Sequence, residues 1–513
     1  MKKERGYTMK KLFCILFALL FVLSFAACGD KGKDTEPADT KPIETTKPDN
    51  GRDAIADTVP TDLNYANDSS NTVTFFARNN MEIFKYEICS EELMNDTLYD
   101  AIHYRNIDVE NRLGVKIRQV LQDGAYGVAK NWFEVLSTAV NTNSSDYDAA
   151  AIYATYGASY ALQNLYYDLN EVSTQYGDGY LDLEKPWWNQ SIIDDCTMYG
   201  VLYFVGGDLS VSTTYGTHLL WFNKDLFDEK FPDEGFQTLY GYVDNGTWTV
   251  GRMADYVSQV WDDVNTSGTI DDGDVVGLKY WHAKHVASMD SWLYAMDIDV
   301  LERDSYGDYS VGNFAARLVP AFELVEGMYH GDGALISPSG APADEITNFA
   351  AGNVLFVLGG IGDGEAYRSS TINYGCLPIP KYDAEQEEYG NGMWTYSSLM
   401  VILSNLSHDR AKMVSAVLEL MAAESYKQVT PVYYSKVITG HYSKDEGDAR
   451  MFDIALATCR YGFETIYSGS LDSSMIRFFR NLDSDVQQTI DAKSTTSWPT
   501  KLTALLEALE ALS

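Results

Sequence analysis

Apolar positions change their spacing several times along this chain, and each change marks a different kind of segment. Leu12 to Phe25 is an apolar run behind Lys10-Lys11, ending at the small pair Ala26-Ala27 and Cys28. From Gly29 to about Thr72 large apolar residues nearly vanish among Lys, Asp, Glu, Thr and Pro. Such a segment cannot bury enough surface to offset its ordering entropy, so residues 28–70 are expected to form a flexible spacer. Thr72 to Ala77, β-branched and aromatic, predicts a first strand; a helix near Leu93 to Leu113 and a second strand at Val115 to Val120 follow. Tyr147 to Tyr153, after Ser144-Ser145-Asp146, reads as a buried parallel strand, and Val201 to Val205 and Val354 to Leu358 read as further apolar strands. Val414, Val417, Leu418 and Met421 recur at helical spacing, as do Leu502, Leu505, Leu506 and Leu509, which predicts two core-facing helices. Strands alternating with helices argue for α/β layers. No internal repeat interrupts the pattern.

Charge and ring content narrow the partners. The formal net charge is -36 over 513 residues, and residues 1–27 hold five basic groups against one acidic group, so the remainder is more negative still. A body of that charge repels phosphate backbones, which argues against nucleic acid as a partner. The 36 Tyr and 10 Trp suit neutral polyhydroxyl ligands, whose C–H faces pack on rings, although most of these rings belong to the core. The roughly 440 residues beyond the spacer exceed one small domain and suffice for two lobes.

The order of basic start, apolar run, small pair and cysteine resembles a bacterial lipoprotein signal, cut after residue 27 and acylated at Cys28. That resemblance implies residence at the outer face of the cell membrane, held by lipid alone. The apolar run is shorter than the roughly 20 residues a spanning helix needs. With Cys14 in the signal and Cys28 acylated, Cys89, Cys196, Cys376 and Cys459 remain, at spacings that form neither a metal pattern nor a compact disulfide framework. They are expected to be buried free thiols.

Four segments in order resemble the family 1 extracellular solute-binding proteins, lipid-anchored receptors of ABC importers for sugars. Leu219-Leu220-Trp221-Phe222-Asn223-Lys224-Asp225-Leu226-Phe227 is similar to that family's aromatic-Asn-Lys-Asp-Leu-Phe signature, and Asn245-Gly246-Thr247-Trp248-Thr249 to its Thr-Trp helix start. Asn348-Phe349-Ala350-Ala351-Gly352-Asn353-Val354 resembles a Phe-x-x-Gly-Lys-Ala segment, with Asn353 in place of Lys. Gly375-Cys376-Leu377-Pro378-Ile379-Pro380-Lys381 matches a Gly-x-x-Pro-x-Pro-Lys crossover. The resemblance spans most of residues 70–480. It implies a bilobal α/β, periplasmic-binding-protein-like fold of type II with a multi-strand hinge: residues 71–208 and 381–428 as lobe I, and 209–380 and 429–513 as lobe II. It further implies a monomer that performs no catalysis, encloses a carbohydrate, expected to be an oligosaccharide, by hinge closure, and passes it to the transmembrane subunits of an ABC permease.

Two constellations stand apart. Asp263, Asn265, Ser267, Thr269, Asp271 and Asp274 place oxygen donors at positions 1, 3, 5, 7, 9 and 12 of an EF-hand-like loop with Gly268 at position 6, so a structural Ca2+ is expected there. For the ligand, rings beside polar groups at strand ends are the candidates: Tyr153, Tyr156, Trp187, Trp188, Trp394 and Tyr396 to stack on sugar faces, Asp208 and Asp363 to accept hydroxyl hydrogen bonds. Carboxylates are too numerous here for counting to exclude a secreted glycan-degrading enzyme with an acidic pair, and a surface adhesion lipoprotein is a further alternative. Neither a Gly-x-Ser-x-Gly elbow nor a His-Glu-x-x-His helix occurs.

Overall fold

The computed structural model describes residues 51–281, 286–337, 345–438 and 446–513. The expected signal, Cys28 and the spacer through residue 50 lie outside the described residues. Among the described residues the strands are β1 (Thr72–Arg78), β2 (Lys116–Gln122), β3 (Ala149–Tyr153), β4 (His218–Asn223), β5 (Trp261–Asp262), β6 (Val275–Trp281), β7 (Leu301–Arg303), β8 (Tyr309–Val311), β9 (Ala334–Ser337), β10 (Val354–Gly360), β11 (Tyr374–Leu377) and β12 (Ser398–Ile402).

They form two principal sheets and one hairpin, β7–β8. The first sheet runs β12-β3-β1-β2, with β1 parallel to both β2 and β3 and β12 antiparallel to β3. The second runs β11-β4-β10-β6-β5, with β9 also paired to β6. Each sheet is the frame of one lobe. The inner strands β3, β4 and β10, and β12 at the edge of the first sheet, are buried along their whole length, because other elements cover both faces, which is why their sequences are apolar runs without alternation.

Local chemistry sets the element ends. The first long helix spans Thr97–Leu113, not Leu93 onward, because the Asp96 side chain accepts the N–H groups of Leu98 and Tyr99. It stops at Gly114, whose φ of 68° suits glycine. The expected spacer also ends earlier than residue 70. Val59 is buried, Arg112 grips both carboxylate oxygens of Asp57 at 2.8 Å, and the Tyr65 N–H reaches the Leu113 carbonyl at 2.6 Å. Sparse apolar content hid this, because one valine and one ion pair suffice to hold the strip on lobe I.

The chain passes between the sheets along adjoining segments. Val205 exchanges backbone hydrogen bonds with Met400, the Trp394 N–H donates to the Gly216 carbonyl at 2.8 Å, and the His218 N–H donates to the Gly392 carbonyl at 2.8 Å. The expected strand Val201–Val205 is thus no member of a sheet; it makes only isolated bridges, at Val201 and Val205. A third connection is helical: His408–Glu424 runs into a π-helical turn, Ser425–Val429, and on into Thr430–Ile438. On its last turn Lys436 sits 2.9 Å from Asp96 beside the first sheet and 4.0 Å from Glu365 beside the second. Cys89, Cys196, Cys376 and Cys459 are free and buried.

Candidate functional site

The last residue of β3 and the helix after it, Ala154–Ala161, project a row of rings toward the second sheet. Tyr153 is almost fully buried, and Tyr156 lies edge-on to it at 5.6 Å. Tyr160 stacks on Phe133 at 4.3 Å, which fixes its ring against lobe I. From the returning crossover come Trp394 and Tyr396, 5.9 Å apart, and from the outgoing one comes Tyr215, 5.2 Å from Trp394. Asp363, in the turn after β10, completes the opposite side, with its carboxylate accepting the Gly360 N–H at 2.8 Å. Together these residues line a cavity of about 1040 Å³ between the sheets, to which residues between Ser468 and Arg480 also contribute.

Five of the eight expected ligand residues, Tyr153, Tyr156, Asp363, Trp394 and Tyr396, therefore meet in one cavity. The other three do not. Trp187 and Trp188 are 0% and 2% exposed, and their indole N–H groups both donate to the Glu419 carboxyl, at 3.1 and 3.0 Å. They pack lobe I and hold a buried acid; the Pro186 turn that precedes them looked like a loop, but it folds back over the helix His408–Glu424. Asp208 faces a separate cavity of about 730 Å³, which Trp187, Trp188 and Arg52 also line. Its carboxyl accepts the Thr430 hydroxyl and lies 3.8 Å from Arg52, and burial pushes it up to about 6.

Sequence reasoning missed Tyr126, Tyr215, Arg477 and Arg480, which also line the large cavity. Tyr126 is 65% exposed although aromatic, and its ring stands edge-on to Tyr156. Arg480 holds Asp290 through two contacts, its Nε donating at 2.7 Å; burial opposes its charge and the Asp290 carboxylate outweighs that effect. Burial, and then the neighbouring Arg480 cation, lower Arg477. Proximity to the cleft is a tertiary fact for these arginines, and no local pattern announces it.

The Asp263–Asp274 loop is exposed and folded on itself. Asp263 accepts the N–H groups of Ser267 and Gly268, Asn265 donates to Asp271 at 2.8 and 3.0 Å, and Ser267 lies beside Thr269. Asp274, 2% exposed, accepts from Val264, Asp271 and the Trp261 indole. Among the described residues no three carboxylates, imidazoles or thiolates gather closely enough to enclose a metal ion by themselves. The loop instead mixes carboxylate, amide and hydroxyl oxygens, a donor set suited to a hard cation.

Known structures share the fold of this chain. The sugar-binding protein MalE from the phytopathogen Xanthomonas citri is similar over 86% of this chain and 99% of its own, at 15% identity and a TM-score of 0.54. The fold is the bilobal one of periplasmic binding proteins. A cyclo/maltodextrin-binding protein solved with maltotetraose shares that bilobal fold over 86% of this chain and 97% of its own, at 12% identity and a TM-score of 0.50. No protein-family model matches the chain, and no curated protein sequence matches it. In this bilobal fold the ring-lined cavity lies between the two sheets, with lining residues from β3 and its following helix on one side and from the turn after β10 on the other.

Proposed function

We propose that this protein is an extracellular solute-binding receptor that captures an oligosaccharide in the interlobe cleft and delivers it to an ABC permease. The observation that carries the reading is the convergence of Tyr153, Tyr156, Tyr215, Trp394 and Tyr396 around a cavity of about 1040 Å³. Ring faces pack on pyranose C–H surfaces, and the cavity is of a size for several sugar units. The two neighbours above are described as a sugar-binding protein and a maltodextrin-binding protein, which supports the same ligand class. Contacts from both lobes favour the closed population, so capture needs no chemistry.

Two further parts belong to the proposal. Acylation at Cys28 tethers the receptor to the outer face of the membrane, and Cys28→Ser abolishes incorporation of labelled fatty acid. A calcium ion held by Asp263, Asn265, Ser267, Thr269, Asp271 and Asp274 pins the loop of the second lobe, a structural role only. The deciding experiment is a thermal-shift screen of the purified protein against oligosaccharides, followed by chromatography of the recovered sugar. A raised melting temperature with the sugar returned intact supports the receptor; a cleaved sugar replaces it with a glycosidase.

A further inference from the structure

The interlobe cleft of a very acidic protein contains a cation that nothing in the described protein neutralises. Arg477 is exposed and lines the cavity, and it has no ion-pair or side-chain hydrogen-bond partner among the described residues. Its charged neighbours are Arg480, which repels it, and Asp290, which is already gripped by both arms of Arg480. Asp363 is the one carboxylate among the described lining residues, and it is engaged by the Gly360 N–H. The phenols whose electrostatics reach the Arg477 charge are those of Tyr126 and Tyr396, both lining the same cavity and respectively 65% and 37% exposed. Behind them lies a second guanidinium: Arg78, 1% exposed, sits under the Tyr153 ring at 5.3 Å and leaves its Nε and Nη1 hydrogens without an acceptor among the described residues.

A neutral sugar makes little use of an uncompensated guanidinium beside two open rings. A carboxylated sugar uses both at once, because its acid group matches the fork of an arginine while its ring face lies on a tyrosine. Within a protein of formal charge -36, a guanidinium with no carboxylate partner among the described residues makes its part of the cleft locally favourable to an anion. We infer that the cleft takes an acidic oligosaccharide, with a uronate carboxylate on Arg477 and the pyranose that bears it between Tyr126 and Tyr396. This rests on the solute-receptor reading above.

Calorimetry on the full chain tests it, using oligogalacturonates, oligoglucuronates, oligomannuronates and oligoguluronates, each with its methyl ester, plus neutral and sulfated oligosaccharides. At least one uronate is expected to bind tenfold or more tightly than its ester. Arg477→Gln should erase that difference without altering the fold by circular dichroism, and Arg477→Lys should restore part of it. If neutral sugars bind and every uronate binds no better than its ester, the acidic-sugar inference is overturned while the receptor reading stands. A preference for sulfated over carboxylated sugars overturns the carboxylate assignment, as does an uronate preference that survives Arg477→Gln. If no sugar of any kind binds, both readings fail.

Discussion

The rings of Tyr153 and Tyr396 meet edge-on, with centroids 5.2 Å apart and planes at 88°. Tyr153 ends β3, an inner strand of the first sheet, and Tyr396 belongs to the crossover that returns from the second, so one ring contact ties lobe I to the hinge. A rotation of the lobes must therefore either carry this pair along or break it. Trp394, 5.9 Å from Tyr396, extends the same surface toward Tyr215 on the other crossover.

Removing a half-exposed ring from that surface should affect binding more than folding. Trp394→Ala and Tyr396→Ala are each expected to weaken oligosaccharide binding by about 1–2 kcal/mol, roughly tenfold in Kd, from lost apolar contact with the ligand. Titration calorimetry reads the loss, and a melting temperature within a few degrees of the parent separates it from unfolding. Unchanged affinity in both variants would remove this cavity as the ligand site.

Trp188 behaves in the opposite way. Its indole fills the lobe I core and donates one of three N–H groups received by Glu419, the others coming from Trp187 and the Asp182 backbone. Trp188→Ala should cost about 3–5 kcal/mol of stability, the range for a buried aromatic, and leave the affinity of the folded protein intact. Urea denaturation beside a binding isotherm distinguishes the two effects; a binding defect without a stability loss would return Trp188 to the ligand site.

Glu419 also predicts how stability depends on pH. Burial pushes its carboxyl from an ordinary 4.5 up to about 8, against the three N–H donors. Between those values the folded protein keeps a proton that the unfolded chain has released, so stability falls as pH rises through that window. Glu464, raised to about 7, and Asp208, raised to about 6, act in the same direction. At lower pH the salt-bridged Asp178, held down by Lys412 and His408, loses its contribution, so the maximum should lie near pH 5. Melting temperatures should decline from about pH 5 to pH 8, and Glu419→Gln should flatten that decline. A melting temperature that climbs over the same range would contradict the buried-acid assignment.

The resemblance motifs are legible because each does local structural work. Asn223 caps the helix Lys224–Lys230 by accepting the Leu226 N–H, and Asp225 accepts the Asn373 N–H at 2.9 Å. Thr249 caps Val250–Val257, while the Lys381 ammonium, 2% exposed, donates to the Gln386 carbonyl at 2.6 Å. The buried strands announced themselves by composition for the same reason, since both faces are covered. What composition could not give is sidedness. Trp188 and Trp394 both stand in turns beside polar residues, yet one turn folds inward over a helix and the other opens on the cleft. Arg477 and Tyr126 come from segments hundreds of residues apart, so their shared cavity exists only in the folded chain.

The Asp263–Asp274 loop supplies a prediction independent of the cleft. Millimolar Ca2+ should raise the melting temperature and chelator should lower it, with Mg2+ less effective because it demands a tighter octahedral shell. Asp263→Ala should abolish the response and leave sugar affinity unchanged. A calcium effect that persists in that variant would place the ion elsewhere.

The buried ion pair of Lys224 and Asp448 connects the Asn-Lys-Asp segment to the long C-terminal part of the chain. Their side chains are 0% and 2% exposed, the ammonium lies 2.6 Å from the carboxylate, and the Tyr240 hydroxyl donates to the same acid. Two charges taken out of water together gain little over apolar residues of similar volume, but one left alone is costly. Asp448→Ala should therefore destabilise the protein by about 3–5 kcal/mol, and the double change Lys224→Met with Asp448→Leu should recover most of that loss. Chemical denaturation of the three proteins measures both steps. A double variant no more stable than Asp448→Ala would mean that the pair fixes the docking of the helix Glu446–Ala457 on the second sheet, beyond balancing its own charges.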